Sequence, residues 1–208
     1  MNFDLFLDNI SDFQQSVAYY DPITTALVND GTQKYTTGTG NVPKVQVKGV
    51  ELDANYSGIP YTNIRFAGAY NDAVYKDFQF SPLPAERANE AVPYFNATGQ
   101  SLARAPKLTG NLTLDYNHPV FNTAIFHSSF NLNMTSSQNY DLTLSQYGGI
   151  APRYLADLSV GLGRKDRLFD ANLIVKNLFN EKYITTQSWN SYAPGIDRWV
   201  GIQFSSKL

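Results

Sequence analysis

The sequence predicts an all-β chain, an antiparallel meander that forms a segment of a transmembrane β-barrel. Three observations predict this fold class: apolar and polar residues alternate along most segments, short and long connections alternate strictly, and aromatic residues gather at the predicted strand ends. Because successive side chains point to opposite faces of a strand, such segments have one apolar and one polar face. A membrane barrel needs that combination, since one face meets lipid and the other meets a wet interior.

The composition fits this class and argues against several others. Charged residues make up 16% of the 208 residues, against roughly 25% in soluble domains. Aromatic residues reach 14%, and the net charge of -2 offers no basic surface for nucleic acid. The absence of cysteine excludes disulfides and thiol chemistry. No apolar run approaches the roughly 18 residues that a transmembrane helix needs.

Eight segments have the two-residue period of a strand. They cover residues 3–14, 45–57, 62–80, 107–116, 123–136, 154–163, 169–176 and 196–208. The first leaves its register open, because either Phe3, Leu5 and Leu7 or Phe6 and Ile10 could form its apolar face. The last alternates cleanly, with apolar residues at Val200, Ile202, Phe204 and Leu208. Taken alone, this last segment fits a half-buried strand of a soluble sheet equally well.

Connection lengths assign a side of the membrane to each end of the predicted strands. Short turns are predicted at 58–60, 117–120 and 164–167, and long loops at 21–44, 81–106, 137–150 and 180–195. Outer-membrane barrels have short periplasmic turns and longer extracellular loops. We therefore expect four extracellular loops, with both chain ends on the periplasmic side.

Aromatic residues cluster at both ends of the predicted strands, as two membrane–water interfaces require. Those near the short turns are Tyr56, Tyr61, Tyr116, Phe121 and Phe169, and those toward the long loops are Tyr75, Phe78, Tyr140, Tyr147 and Tyr183. A soluble β-sandwich with aromatic residues around its turns is the alternative explanation.

Two neighbouring segments near the C-terminus resemble a known family. Residues 175–184 read Val-Lys-Asn-Leu-Phe-Asn-Glu-Lys-Tyr-Ile, and residues 195–198 read Gly-Ile-Asp-Arg. They resemble the end of TonB-dependent outer-membrane receptors, where Asn-Leu-Phe-(Asp/Asn)-x-x-Tyr precedes a Gly-x-Pro-Arg turn into the last strand. The matching residues are Asn177, Leu178, Phe179, Asn180, Tyr183, Gly195 and Arg198. Asp197 stands where the family usually has Pro, and Leu208 where it usually ends in Phe.

Three further stretches resemble the same family in the same order along the chain. Residues 98–108 are similar to its Gly-x-x-Leu-Pro-x-Ala-Pro-Lys stretch, with Ala103 in place of the first Pro. Residues 47–52 are similar to its Gly-(Val/Ile)-Glu strand opening, and residues 12–14 to its Asp-Phe-Gln strand end. Each motif alone is weak, but four in sequence favour the family over nearly the whole chain.

The resemblance implies that residues 1–208 are the C-terminal part of a 22-stranded barrel. We expect no plug domain in this chain, and its N-terminus has no secretory signal, so we expect a fragment of a longer protein. The implied function is an outer-membrane transport receptor of a Gram-negative bacterium, which binds a scarce ligand such as a siderophore–iron complex and imports it in a TonB-dependent way. The implied partners are outer-membrane lipid, the plug and remaining strands, TonB through the missing N-terminal region, and a small-molecule ligand. Siderophore, cobalamin, heme and glycan all remain open.

Candidate ligand-binding residues lie in the long loops and on the predicted lumen face. The loop candidates are Tyr140, Tyr147, Trp189 and Tyr192, whose rings could hold a sugar, a catecholate chelate or a macrocycle. The lumen candidates with positive charge are Arg65, Lys176 and Arg198. Aromatic packing among the loops and bracing of the final turn are the structural alternatives.

The sequence predicts no enzyme, no cofactor and no metal site. His118 and His127 lack the spacing of metal ligands, Glu86 and Glu90 read as solvated loop charges, and no Gly-x-Ser-x-Gly elbow occurs. A Ser/His/Asp arrangement through His127 stays open. The alternative functions are therefore a complete eight-stranded structural or adhesive barrel, an outer-membrane hydrolase, and a soluble ligand-binding β-sandwich.

Overall fold

The computed structural model describes residues 1–166 and 168–206. In chain order its strands are β1 (Asn2–Tyr20), β2 (Tyr35–Tyr56), β3 (Thr62–Asp77), β4 (Ser81–Pro82), β5 (Tyr94–Phe95), β6 (Leu108–Val120), β7 (Ala124–Thr135), β8 (Gln138–Asn139), β9 (Gly149–Ile150), β10 (Arg153–Arg164), β11 (Phe169–Lys176), β12 (Ile184–Gln187), β13 (Tyr192–Pro194) and β14 (Trp199–Ser206). One α-helix, α1 (Pro22–Val28), and one 3-10 turn (Ala85–Arg87) complete the elements.

Eight long strands form one antiparallel sheet in the order β1-β2-β3-β6-β7-β10-β11-β14. Each strand pairs with the next long strand along the chain, so the sheet is a meander, as predicted. The remaining short strands pair as β4 with β5, β8 with β9 and β12 with β13, and all lie within the long loops. The sheet thus has short turns at one end and long loops at the other. The first to fourth loops connect β1 to β2, β3 to β6, β7 to β10 and β11 to β14, respectively.

One face of the sheet, the outer face, is apolar and exposed. A single row of directly paired positions crosses seven strands through Tyr56, Ile64, Leu114, Phe130, Leu158, Val175 and Val200. Side chains on this face are highly exposed, with exposed fractions of 72% at Leu5 and 78% at Phe204. Within the described residues no second sheet covers this face. A soluble sandwich would have buried these side chains against a second layer.

The opposite face, the inner face, is polar and internally hydrogen-bonded. Asn131 on β7 donates to the Thr113 hydroxyl on β6 at 3.0 Å. Asp115 accepts from Arg65 at 2.6 Å and from Ser129 at 2.7 Å, and so joins three strands. The predicted division into an apolar and a polar face is confirmed.

The register of β1 is decided by its partner. Phe3 lies opposite Leu52 and Leu5 opposite Val50, so these apolar residues share the outer face. Phe6 lies on the inner face, where its ring covers Gly49; a Cβ at Gly49 would lie 2.6 Å from Phe6 Cζ. Of the two registers that the sequence allowed, the structure therefore has the one with Phe3, Leu5 and Leu7 on the apolar face.

Several predicted boundaries were wrong; the third strand, for example, ends at Asp77 rather than at 80. The loop expected at 21–44 is shorter, because β1 and β2 continue pairing up to Tyr20 and Tyr35. The turn expected at 117–120 belongs to β6, and the chain reverses at 121–123, where Phe121 has φ 59. Pro119 is tolerated in β6 because pairing with β3 ends at Tyr116, so a missing N–H on that side breaks no ladder.

Two predicted segments fall partly outside the described residues. The turn at 164–167 includes Arg167, and the final strand includes Lys207 and Leu208. The described part of that strand begins at Trp199 rather than at 196.

The buried core lies at the long-loop end, between the inner face and the second loop. Val45 and Tyr75, which are direct partners on β2 and β3, are fully buried. They form a cluster with Val17, Val42, Phe78 and Ala97, against which Phe13, Phe95, Leu102 and Leu144 pack. The second and third loops are therefore folded onto the sheet.

β1 and β14 form the two edges of the sheet, and no ladder joins them within the described residues. The described residues also contain no helix long and apolar enough to cross a membrane. An open edge leaves backbone N–H and C=O groups without partners, which lipid does not tolerate. A self-contained eight-stranded barrel would require β1 to pair with β14, and this sheet lacks that pairing.

Candidate functional site

The base of the fourth loop is held by Asn177, the first residue after β11. Asn177 is buried and has φ 51, a left-handed conformation that Asn adopts more readily than most residues. Its side chain donates to the carbonyl oxygens of Glu181 (2.9 Å) and Ile196 (3.0 Å), and accepts from the Glu181 N–H (2.8 Å). Its own N–H donates to Asp157 on β10 at 2.9 Å. The Asn177 side chain thus joins the start of the fourth loop, at Glu181, to its end, at Ile196.

The two halves of the C-terminal motif contact each other at two further places. The Asn180 side-chain oxygen accepts from the Arg198 N–H at 2.9 Å. The Tyr183 ring lies over Gly195, where a Cβ would come within 2.2 Å of Tyr183 Cζ. The motif residues therefore brace the fourth loop, and backbone groups make several of their contacts.

The second, third and fourth loops are linked side by side. Glu86 in the second loop accepts from the Ser145 hydroxyl and from the Gln146 N–H, both at 2.9 Å. Gln187 in the fourth loop donates to the Tyr147 carbonyl at 2.6 Å. Glu86, which the sequence indicated was a solvated charge, instead joins two loops. Nothing in the local sequence signals this, because its partners lie about sixty positions away.

Three of the four aromatic candidates in these loops have exposed side chains. Tyr147, Trp189 and Tyr192 are 49 to 68% exposed. Gln187 is the ladder partner of Tyr192 and donates to Tyr147, so it brings these two residues to one place. Trp189 lies in the turn of the same β12–β13 hairpin. We call these three exposed residues the aromatic patch; they lie on the third and fourth loops, which Gln187 links.

Tyr140 lies against Arg104 of the second loop. The Arg104 guanidinium carbon lies 4.4 Å from the centre of the Tyr140 ring. Arg104 also donates through Nε to the Tyr140 carbonyl at 3.0 Å, and through its backbone N–H to Asn139 at 2.7 Å. Tyr140 therefore contributes one ring face to a contact between loops.

Arg65 and Lys176 lie on the inner face of the sheet, below the loops. Arg65 pairs with Asp115 at 2.6 Å and Lys176 with Asp157 at 2.8 Å. Four strand steps separate them along one row, about 19 Å at the usual strand spacing. The structure therefore does not bring them together with each other or with the aromatic patch.

Arg198 lies in the turn ahead of β14, so strand alternation does not extend to it. The residue opposite Lys176 on β14 is Trp199, whose ring covers Gly201 on the inner face. The argument from alternation for a lumen-facing Arg198 therefore does not apply.

Arg87 and Glu90 of the second loop form an ion pair within that loop. Arg87 donates two hydrogen bonds to Glu90, at 2.6 and 2.9 Å, and also lies over the Phe95 ring. These hydrogen bonds lower the pKa of the Glu90 carboxyl and raise the pKa of the Arg87 guanidinium. The pair is internal to its loop, whereas Glu86 and Arg104 of the same loop contact the third loop.

His127 does not assemble a hydrolase site with a serine. Its Nε2 lies 2.7 Å from Asp170 Oδ2, and its ring covers Gly161. Ser129 donates to Asp115, and no hydroxyl in the described part of the chain is hydrogen-bonded to His127. Residues 1–166 and 168–206 contain no group of three or more His, Cys, Asp or Glu that could hold a metal ion.

Three solved structures with a similar fold are named as receptors. The ferric yersiniabactin uptake receptor FyuA from Yersinia pestis matches with a TM-score of 0.62 and 17% identity, over 80% of this chain and 24% of that one. The siderophore receptor PiuA from Acinetobacter baumannii matches with a TM-score of 0.68 and 15% identity, over 97% and 25%. The ferric preacinetobactin receptor BauA from the same organism matches with 0.59 and 18%, over 97% and 26%. At these identities the likeness shows the fold alone.

The chain spans about a quarter of the length of these structures. A comparison with curated proteins finds no match. A family model described as TonB dependent receptor-like, beta-barrel, matches residues 1–178. With its eight-stranded meander, its apolar outer face and its folded long loops, the chain belongs to the family of TonB-dependent receptor β-barrels.

Proposed function

We propose that this chain is the C-terminal section of the barrel of an outer-membrane receptor, which binds a scarce ligand at its extracellular loops and imports it in a TonB-dependent way. The remaining strands and the plug domain belong to other parts of a longer protein, through which TonB acts. The receptor resides in the outer membrane of a Gram-negative bacterium. The chain itself performs no covalent chemistry and holds no cofactor.

One observation carries this proposal: the apolar outer face runs across the whole sheet without a covering layer in the described residues. Leaving large apolar side chains in water costs about 25 cal/mol per Å² of exposed surface. Lipid removes that cost, while the hydrogen-bonded polar face suits a water-filled interior. In a wide transport barrel, the apolar face contacts lipid and the polar face lines the water-filled interior.

The proposed ligand is a siderophore–iron complex held at the loop layer. The aromatic patch of Tyr147, Trp189 and Tyr192 offers exposed rings on two linked loops. Aromatic side chains bring large contact area at low entropic cost. The solved receptors with this fold are named for ferric yersiniabactin, ferric preacinetobactin and a siderophore, which favours that ligand class over cobalamin, heme and glycan.

The charged candidates are not part of the first binding site in this proposal. Arg65 and Lys176 line the inner face below the patch, where each already has a carboxylate partner. They would meet the ligand after it leaves the loops. Tyr140 and Arg198 act mainly by fixing the loops that carry the patch.

Transport is tested with the full-length protein that contains this chain, expressed in a strain that lacks its own ferric-siderophore receptors. We expect the protein in the outer-membrane fraction, uptake of ⁵⁵Fe as a siderophore complex, and loss of that uptake when tonB is deleted. Uptake that persists without TonB, or a protein absent from the outer membrane, contradicts the proposal.

The aromatic patch is tested by the double substitution Trp189→Ala and Tyr192→Ala. We expect ferric-siderophore affinity to fall about tenfold or more, because central aromatic residues dominate such contacts. Tyr56→Ala is the matched control, an exposed tyrosine at the short-turn end. Equal affinity in the double variant and the control would remove the patch from the binding site.

A further inference from the structure

Charge on the outer face is confined to its two ends. Between Arg164 at the short-turn end and the row of Leu7, Lys48 and Asp72 at the long-loop end, the paired outer-face positions of the described sheet contain no Asp, Glu, Lys or Arg. The charged row follows directly above the apolar row of Leu5, Val50, Tyr70 and Leu108. It therefore marks the long-loop boundary of the lipid-facing band.

Two lysines share one carboxylate at this boundary. Lys48 Nζ lies 3.6 Å from Asp72 Oδ2, and Lys107 Nζ lies 3.9 Å from Asp72 Oδ1. Both distances exceed hydrogen-bond length, and each lysine side chain is 55% exposed. One negative charge balances only one of the two ammonium groups, so the cluster keeps a net positive charge and open donors.

The row beneath this cluster is an apolar shelf. Leu5 is 72% and Leu108 is 56% exposed, and Tyr70 lies between them on the same face. An amphiphile lying along the strands would place its chains on this shelf and its headgroup beside the two ammonium groups. Lysine suits this place, because its stem covers apolar surface while its charge reaches the interface.

We propose that Lys48 and Lys107 bind the phosphate of a phosphorylated lipid of the outer leaflet, whose acyl chains lie on Leu5, Val50, Tyr70 and Leu108. This inference rests on the proposed placement in the outer membrane. Charge complementarity selects the headgroup, since basic residues beside a membrane attract anionic lipids. Asp72 limits the affinity, because its carboxylate competes with the phosphate for the two ammonium groups.

The test uses the full-length protein that contains this chain, purified in a non-ionic detergent. Binding is measured for bis-phosphorylated lipid A, for dephosphorylated lipid A and for inorganic phosphate. The variants are Lys48→Gln with Lys107→Gln, and Asp72→Asn alone. The control is Lys34→Gln with Lys182→Gln, which removes the same charge from lysines of the first and fourth loops.

We expect the Lys48/Lys107 variant to bind lipid A about thirtyfold more weakly, from the known attraction of each lysine near an anionic surface. The control variant keeps the wild-type affinity, and Asp72→Asn binds more tightly than wild type. Equal binding of dephosphorylated lipid A, equal competition by inorganic phosphate, or an unchanged affinity in the Lys48/Lys107 variant would overturn the inference.

Cell fractionation and ⁵⁵Fe uptake with the same variants separate this inference from the proposed function. Normal uptake together with lysine-independent lipid binding defeats the lipid site alone. Lysine-dependent lipid binding by a protein in the outer membrane that transports no ferric siderophore defeats the transport proposal alone.

Discussion

The side-chain amide of Asn177 donates a hydrogen bond to the carbonyl oxygen of Ile196 at 3.0 Å and so ties the end of β11 to the approach to β14. The same side chain exchanges two hydrogen bonds with Glu181. This geometry gives a physical reason for the Asn-Leu-Phe segment and the Gly-x-x-Arg turn to occur together. The first supplies the side chains, and the second supplies the backbone groups that they hold.

Replacing Asn177 with Ala should loosen the whole fourth loop. Three side-chain hydrogen bonds of about 1 kcal/mol each are lost, and Ala is also strained at positive φ. We expect hydrogen exchange across residues 178–197 to accelerate about a hundredfold, measured by mass spectrometry on the full-length protein. Asn190→Ala, in the turn of the β12–β13 hairpin, is the control. Equal exchange in the two variants would show that Asn177 does not brace the loop.

Gly195 and Tyr183 should be energetically coupled. A methyl group at Gly195 meets the Tyr183 ring, so Gly195→Ala should destabilise by about 1–3 kcal/mol through overpacking. In a Tyr183→Ala background the space is free, and the same substitution should cost far less. A double-mutant cycle on thermal unfolding measures the difference. Additive effects would contradict the contact.

Arg104→Ala should weaken the contact between the second and third loops at Tyr140, while the hydrogen bonds of Glu86 to the third loop remain. It removes the contact with the Tyr140 ring and the bond to the Tyr140 carbonyl, together about 1 kcal/mol at an exposed site. We expect exchange of residues 138–150 to rise about fivefold. Arg87→Ala is a matched control, because that arginine pairs within its own loop. A response to Arg87→Ala of the same size would argue for general loop loosening.

The cap of helix α1 should depend on pH through Asp21. The Asp21 carboxylate accepts from the backbone N–H groups of Thr24 and Ile23, and the bond from Thr24 is the main cause of its lowered pKa. Because the folded pKa lies below the ordinary value of 3.8, the cap stabilises fully above that value and is lost as pH falls through the folded pKa. A carboxyl ¹³C titration measures it, and a pKa at or above 3.8 would refute the cap.

Strand identity and facing could be read from the residues, since each strand carries its own period-two pattern. Residues 169–176 were predicted to the residue, and the apolar set Val50, Leu52, Ala54 and Tyr56 shares the outer face as predicted. The positions of the strand ends were harder to predict, because a strand continues as long as the neighbouring strand offers a pairing partner. The extension of β1 and β2 and the shift of the turn to 121–123 both follow from such pairing.

The candidate site was predictable only as a set of residue types. Aromatic residues in the long loops predicted a binding surface, and three of them, Tyr147, Trp189 and Tyr192, are exposed; their role in binding stays a prediction. The links that position the loops were not visible, because Glu86 with Ser145 and Arg104 with Tyr140 are distant in sequence. Asn177 could be singled out from the sequence as part of the family motif, but its hydrogen bonds to Glu181 and Ile196 could not be predicted.

By itself the sequence determined the class of the protein. The alternation of apolar and polar residues, the alternation of short turns with long loops, and the four motifs predict a segment of an outer-membrane receptor barrel, because each is a local property of the chain. Tertiary structure alone decided the register of β1, the layer of linked loops and the boundary cluster of Lys48, Asp72 and Lys107. Those features depend on which strand and which loop lie next to one another. The pairing of the strands in the folded sheet decides which residues become neighbours.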